Sequence, residues 1–338
     1  MNAPLISIIT PTYNHKLYIK ECIESVLNQT YPNWEMIIVD DFSNDGTSKI
    51  IEEYIKKDKR IRTIRHIENY GIYRLSESYN EALKIAHGEF IAILEGDDYW
   101  PKDKLKRQIV FFNDDKVVLV WGKGAYVNEK NKIIKLMPFP KLNSKSMCIC
   151  QNRPIGIILK KLLLENIIIP TASIILRKSA ILSIGGFKQP SNISYVDYPT
   201  WLELSLKGEF RFSNCILGYW RVHPSQATAN FLNEQVFGRS RIALKFCKTL
   251  PAGFKKHLGI TDRSIEARYY WFKGRSNLLA KDWKDARNDF IKVILKGSLL
   301  MKVKGIIGVF SSFLKIDIIK YLTRISNRDH YSGIKNEN

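Results

Sequence analysis

A chain of 338 residues with 45% apolar content can hold one large domain with an extension, or two domains, around a real core. Its net charge of +20 is uneven, with +6 on residues 1–234 and +14 on residues 235–338, so the basic excess belongs to the last third. Five cysteines (Cys22, Cys148, Cys150, Cys215 and Cys247) show no paired zinc spacing and point to reduced thiols, Met1–Pro4 shows no charged and apolar leader, and no apolar stretch reaches the length of a spanning helix.

In chain order, Leu5–Thr10 is an apolar, β-branched run that reads as a strand. A Pro11–Asn14 turn comes next, then a helix over 15–29 with Leu17, Cys22, Ile23, Val26 and Leu27 on one side. Met36–Val39 is the second strand. Asp40–Thr47 is a polar turn in which Asp45 or Thr47 can cap a helix running to about Lys57. Ile61–Ile67 is a third, weaker strand, and residues 75–87 form a helix stopped by Gly88.

The stretch Glu89–Asp98 organises the rest. Its apolar run reads as a buried central strand and ends in Glu95-Gly96-Asp97-Asp98. Adjacent aspartates repel, so they need a cation or hydrogen-bond donors nearby. The alternative is that Asp97 merely starts the helix that begins at Pro101 and runs to about Asn113. The repeated strand–helix alternation predicts parallel strands with crossover helices on both faces. All the strand-end turns then lie along one edge of the sheet, where open α/β sheets place their ligands. Tyr13, Asp40, Asp41, Asp97 and Asp98 meet there.

Val117–Trp121 and Thr171–Leu176 read as further strands. Between them lie a basic, turn-rich piece (Lys135–Asn152) and an apolar amphipathic piece (Ile155–Leu164). Ser179–Ile184 is a short helix, Tyr198–Lys207 another, and Phe210–Leu217 and Tyr219–His223 are extended. After about residue 235 only helices are expected. Tyr269–Leu279 and Asp282–Leu295 form a helical hairpin, with Gly274, Ala286 and Phe290 at spacings similar to those of a tetratricopeptide repeat. Residues 297–325 give one or two amphipathic helices with Lys302, Lys304, Lys315, Lys320 and Arg324, and the tail from Asn327 is expected to be disordered.

Several ordered motifs now carry a resemblance. Ser7–Asn14, Ser25–Glu35 and Asp40–Thr47 resemble the opening of the GT-A fold family 2 glycosyltransferases. Asn80, Ala82-Leu83, Ala86 and Gly88-Glu89 continue it. Glu95–Asp98 resembles the Asp-x-Asp region, with Glu95 where the family usually has Asp, and Pro101, Leu105 and Gln108 fit the family's pattern just after that motif. Ile184–Phe187, Asp197 with Trp201, and Tyr219–His223 fit the acceptor half. The likeness covers about residues 4–230.

The resemblance implies a Rossmann-like, mostly parallel sheet over 1–234, with a donor half to about 115 and an acceptor half beyond it. A basic helical region over 235–326 and a tail over 327–338 complete the expected organisation. It implies transfer of a sugar from a nucleoside-diphosphate donor, of UDP or dTDP type, to an acceptor hydroxyl with inversion. Asp98 would ligate Mn²⁺ or Mg²⁺, helped by Asp97 or His223. Thr10, Pro11, Tyr13, Asp40 and Asp41 would form the nucleoside pocket, with Asp41 reading the base and Asp97 near the ribose. Arg221 would pair with the diphosphate, and Asp197 would be the general base, although Val196 replaces the usual preceding Glu. Trp100 and Trp201 stack on sugar faces or fill the core.

Two other readings stay open. A catalytically inactive relative would keep the donor site without turnover. A nucleic-acid-binding protein would explain the charge, but no zinc-finger, RNP or helix-turn-helix signature is present, so nucleic acid is not an expected partner. No Gly-x-Gly-x-x-Gly comes after the first strand, which disfavours a dinucleotide enzyme. The expected acceptor is a glycan or lipid-linked glycan in bacterial surface-polysaccharide assembly. The expected place is the cytoplasm, peripheral on the membrane through the apolar, lysine-spaced segment 289–325.

Overall fold

The computed structural model of the chain describes residues 3–138, 144–226 and 232–318. Ile319, Lys320, Leu322, Arg324 and the expected disordered tail fall outside the described residues, as does part of the basic piece before Asn152. The chain divides into two compact units, one of residues 1–159 and 166–226 and one of residues 160–165 and 227–338.

The first unit is built on β1 (Ile6–Thr12), β2 (Trp34–Asp40), β3 (Ile61–Arg65), β4 (Phe90–Ile93), β5 (Val117–Val127), β6 (Ile133–Leu136), β7 (Ile175–Arg177) and β8 (Glu209–Arg221). These join in one mixed sheet in the order β3-β2-β1-β4-β7-β5-β6, with β8 alongside β5. β1 pairs in parallel with both β2 and β4, and β2 with β3. β1 and β2 are buried along their whole length, which is why their sequences are continuous apolar runs rather than alternating ones.

Helices α1 (Ile19–Leu27), α2 (Thr47–Lys57) and α3 (Leu75–Ile85) are the crossovers between these strands. Ile19, Cys22, Ile23 and Val26 put the buried face of α1 at helical spacing. Asp45 accepts from the Thr47 amide and hydroxyl at the start of α2. The chain leaves β1 for β2 and β3 on one side and returns to β4 on the other, so the crevice between the ends of β1 and β4 is a topological switch point.

The middle of the sheet departs from simple alternation. The stretch Thr171–Leu176 is a 3₁₀ turn (Thr171–Ser173) leading into three-residue β7, which runs antiparallel to both β4 and β5. The expected Val117–Trp121 strand continues to Val127, and the two extended pieces after residue 209 are a single strand. The helix after Pro101 is α4 (Lys104–Ile109) with a 3₁₀ turn to Asn113. Gln108 is fully buried and donates to the Val120 and Ser173 carbonyls, which ties α4 to the strands beyond β4. Also in this half are α5 (Ser144–Cys150), α7 (Lys178–Ser183) and α8 (Asp197–Leu204), whereas α6 (Leu159–Leu164) falls, but for its first residue, in the second unit.

The second unit is helical: α9 (Leu232–Thr249), α10 (Ala252–His257), α11 (Asp262–Leu279), α12 (Trp283–Lys296) and α13 (Leu299–Leu314). The expected hairpin is the α11–α12 pair. Thr261 and Asp282 cap its two helices through their side chains. Phe290 is fully buried and packs with Leu278, Ala286, Trp271 and Ile307, so α13 completes the core of the pair. Among the described residues no helix is long and apolar enough to cross a membrane.

Candidate active site

The site is assembled from the C-terminal ends of β1, β2 and β4. At the end of β4 the backbone must pass very close to β1. The Gly96 amide donates to the Pro11 carbonyl at 3.0 Å, and a Cβ on Gly96 would lie 2.4 Å from the Thr12 hydroxyl and 2.9 Å from His15 Nδ1. Glycine is therefore required at 96, and its absent side chain lets His15 approach the adjacent residue, Asp97.

Three carboxylates then crowd together in different surroundings. Asp97 Oδ2 lies 3.1 Å from His223 Nε2 and 3.8 Å from His15 Nε2. Burial works against its charge, but the two imidazoles outweigh it and hold Asp97 below the usual carboxylate range. Asp98 Oδ1 accepts from the Arg221 amide at 2.9 Å, yet burial and the charges of Asp97 and Glu95 push its carboxyl well up. Glu95 accepts from the Tyr79 hydroxyl at 2.9 Å, and its other oxygen is buried with no partner. Burial chiefly, with Asp97 and Asp197 adding to it, raises Glu95 to about 7.

At the end of β2, Asp40 is buried and accepts from the Ser43 amide and the Ser48 hydroxyl, so it closes its turn and anchors α2. Asp41 accepts from the Tyr70 and Gly71 amides at 2.8 and 2.9 Å and lies 2.7 Å from His66 Nδ1. His66 stacks on Tyr70, with ring centroids 3.9 Å apart. Of the two acids, Asp41 keeps more side-chain exposure, 14% against 2%. Tyr13 is 43% exposed at the end of β1, while the Thr10 hydroxyl is buried without a partner.

Asp197 stands in the first turn of α8 and accepts from Asn166 Nδ2 at 3.0 Å. Its charge helps to raise both Glu95 and Tyr79, so the fold brings it close to the carboxylate cluster from the acceptor half. Val196 is buried behind it.

The resemblance implies that Arg221 pairs with a diphosphate, but its side chain is 1% exposed and every guanidinium nitrogen has a protein partner. Nε donates to the Asp97 carbonyl, one terminal nitrogen to Asn131 Oδ1 and the other to Glu21 Oε2. It sits between the Tyr18 and Tyr99 rings, with its charge 5.1 and 5.2 Å from their centroids. Arg221 therefore holds the Asp97-Asp98 turn in place. The two tryptophans belong to the core: Trp100 is 3% exposed and donates to the Ala172 carbonyl, and Trp201 is fully buried.

Two residues of the site carry no sequence signal. His15 and His66 are single histidines in turns, without a spacing that marks a ligand set. Among the described residues no three His, Cys, Asp or Glu side chains form a ready metal cage. The oxygens of Asp97 and Asp98 fit instead a partial set of the kind a hard divalent cation completes with phosphate oxygens and water.

A mixed α/β sheet with acidic turns at its switch point is the architecture of the GT-A fold. The Glycosyl transferase family 2 profile matches residues 7–184, and the chain belongs to that family. TuaG of Bacillus subtilis (strain 168), by name a teichuronic acid biosynthesis glycosyltransferase, is 32% identical over 225 residues, which is 66% of this chain and 81% of TuaG. The Escherichia coli UDP-Glc:alpha-D-GlcNAc-diphosphoundecaprenol beta-1,3-glucosyltransferase WfaP is 34% identical over 235 residues, 69% of this chain and 83% of WfaP. Among solved structures, S. aureus TarS 1-349 in complex with UDP-GlcNAc has the same fold, with TM-score 0.62 at 18% identity over 95% of this chain and 92% of that one. The mannosyltransferase PcManGT from Pyrobaculum calidifontis, in complex with GDP-Man and Mn²⁺, gives TM-score 0.56 at 17% identity over 97% and 85%.

Proposed function

We propose that the chain moves a sugar, with inversion, from a UDP- or dTDP-sugar to a hydroxyl of a glycan or lipid-linked glycan acceptor. The setting is bacterial surface-polysaccharide assembly on the cytoplasmic side of the membrane. The observation that carries this reading is the pairing of Asp97 and Asp98 at the β1/β4 crevice with Asp197 nearby on α8. One side of that crevice suits a charged leaving group and the other suits a base. The names of WfaP and TuaG support the acceptor class.

In this reading Asp98, with Asp97 or His223, holds Mn²⁺ or Mg²⁺. That cation, when bound, supplies the positive charge that a departing nucleoside diphosphate needs. Tyr13 offers its exposed ring to the base, Asp41 accepts from a base N–H, and Thr10 and Pro11 line the pocket. Asp197 takes the proton of the acceptor hydroxyl as that oxygen attacks the anomeric carbon. Arg221 and Gly96 fix the acidic turn, which is pre-organisation rather than contact with substrate.

A screen of UDP-, dTDP- and GDP-sugars for hydrolysis or transfer in Mn²⁺ tests the reading. Turnover with a UDP- or dTDP-sugar is expected. Tight donor binding without turnover of any donor or acceptor would instead favour the inactive relative.

A further inference from the structure

Within the helical unit, α13 turns its small residues inward. Its buried positions are Gly305, Gly308, Ser311 and Ser312. A Cβ on Gly308 would lie 2.5 Å from the Phe290 ring, and one on Gly305 would lie 2.8 Å from the Ile294 side chain. These glycines let α13 lie close against α12, with Ile307 and Val309 packing beside them.

Apart from Ile307 and Val309, which pack on the hairpin core, the large apolar residues of α13 point outward. Leu299, Leu300, Val303, Ile306, Phe310 and Leu314 are 45–81% exposed. At 100° per residue they fall within an arc of about 120°. The helix carries no acid. Lys302 and Lys304 are exposed and lie about 40° beyond either edge of that arc. An exposed Lys315 closes the helix. An apolar face this continuous, flanked on both sides by lysines, is rare on a free surface. At 16 residues the helix is too short to span a bilayer but well suited to lie in its surface.

We propose that α13 is an in-plane membrane anchor. Its outward face inserts among acyl chains, and Lys302, Lys304 and Lys315 reach the head-group phosphates of anionic lipid. The charge argues for this occupant, because a second copy of the chain on the same face would bring lysine rows together with no acid on either helix. The choice of a bilayer also rests on the lipid-linked acceptor reading above.

The test is flotation of the full-length protein with phosphatidylglycerol-containing vesicles and with pure phosphatidylcholine vesicles. Binding should need the anionic lipid and weaken as salt is raised. Leu300→Ser with Phe310→Ser, both at exposed positions, should lower the vesicle partition coefficient at least about tenfold. Lys302→Glu with Lys304→Glu should do the same. Neither pair should alter donor hydrolysis in solution. Equal recovery with both vesicle types, or with neither, overturns the proposal. So does a dimer by light scattering that Leu300→Ser with Phe310→Ser dissolves, which would give the face to a second copy. Flotation that persists when no sugar nucleotide is turned over would sink the proposed function and leave the anchor standing.

Discussion

Asp97 and Asp98 are neighbours in sequence but not in electrostatic character. Two imidazoles favour the charge on Asp97, while for Asp98 the amide and charge of Arg221 are outweighed by burial and by Asp97 and Glu95. Such a pair is stabilised when a cation shares its charge, which supports the proposed reading of the turn as a ligand site and not only a helix start. The role proposed for Asp197 is separate. Asp197→Asn keeps the shape and the Asn166 contact but loses basicity, so turnover should fall by about 10²–10⁴-fold with donor affinity nearly unchanged. Steady-state kinetics beside donor titration would show it, and a parallel collapse of donor affinity would move Asp197 into the nucleotide pocket. Asp40, Asp41, Asp97 and Asp98 are legible in the sequence because each follows an apolar strand, whereas Asp197 opens a helix and is marked only by the family resemblance. The place of Arg221 is not legible, because its partner Glu21 lies 200 positions away in the chain and no local pattern reports that pairing. His15 is hidden for a similar reason, since only the Gly96 close approach brings it to Asp97.

At the scale of elements, the opposite edge of the sheet explains residues that the motif alone leaves unexplained. Glu35, at the start of β2, is 8% exposed. It accepts from the Ser7 hydroxyl and the His87 amide at 2.6 Å and pairs with Arg62. Burial works to raise its pKa, but these hydrogen bonds prevail and lower it from 4.5 to about 2. A folded pKa below the unfolded one gives stability that is present above pH about 4.5 and is lost as pH falls toward about 2. Glu35→Gln should therefore lower unfolding stability by up to roughly 3 kcal/mol at neutral pH. The gap between variant and parent should close as pH falls through that window. Urea unfolding at several pH values checks this, and a gap independent of pH would show that the contacts, not the charge, matter. The βα alternation up to Asn113 is legible because each strand is a continuous apolar run and each helix has a spaced apolar face. β7 is not, since three residues give no periodicity and its antiparallel place between β4 and β5 is fixed by contacts remote in sequence.

At the scale of the whole molecule, the uneven charge of the sequence separates two kinds of unit. The sheet unit carries the acidic edge of a family 2 glycosyltransferase, and the helical unit carries the basic excess and an outward apolar helix. The helical hairpin is readable from its spacing, but the direction in which α13 faces is not. An amphipathic pattern says that a helix has an apolar side; only packing against Phe290 shows that its small residues face in. The acidic edge is the feature on which the proposed activity turns. Calorimetry of UDP binding to the parent protein and to Asp98→Ala, with and without Mn²⁺, measures it directly. UDP should bind the parent much more tightly with Mn²⁺, and Asp98→Ala should lose that gain while keeping the parent's circular dichroism spectrum. Equal Mn²⁺-dependent binding by Asp98→Ala would contradict the placement of the nucleotide diphosphate at this edge.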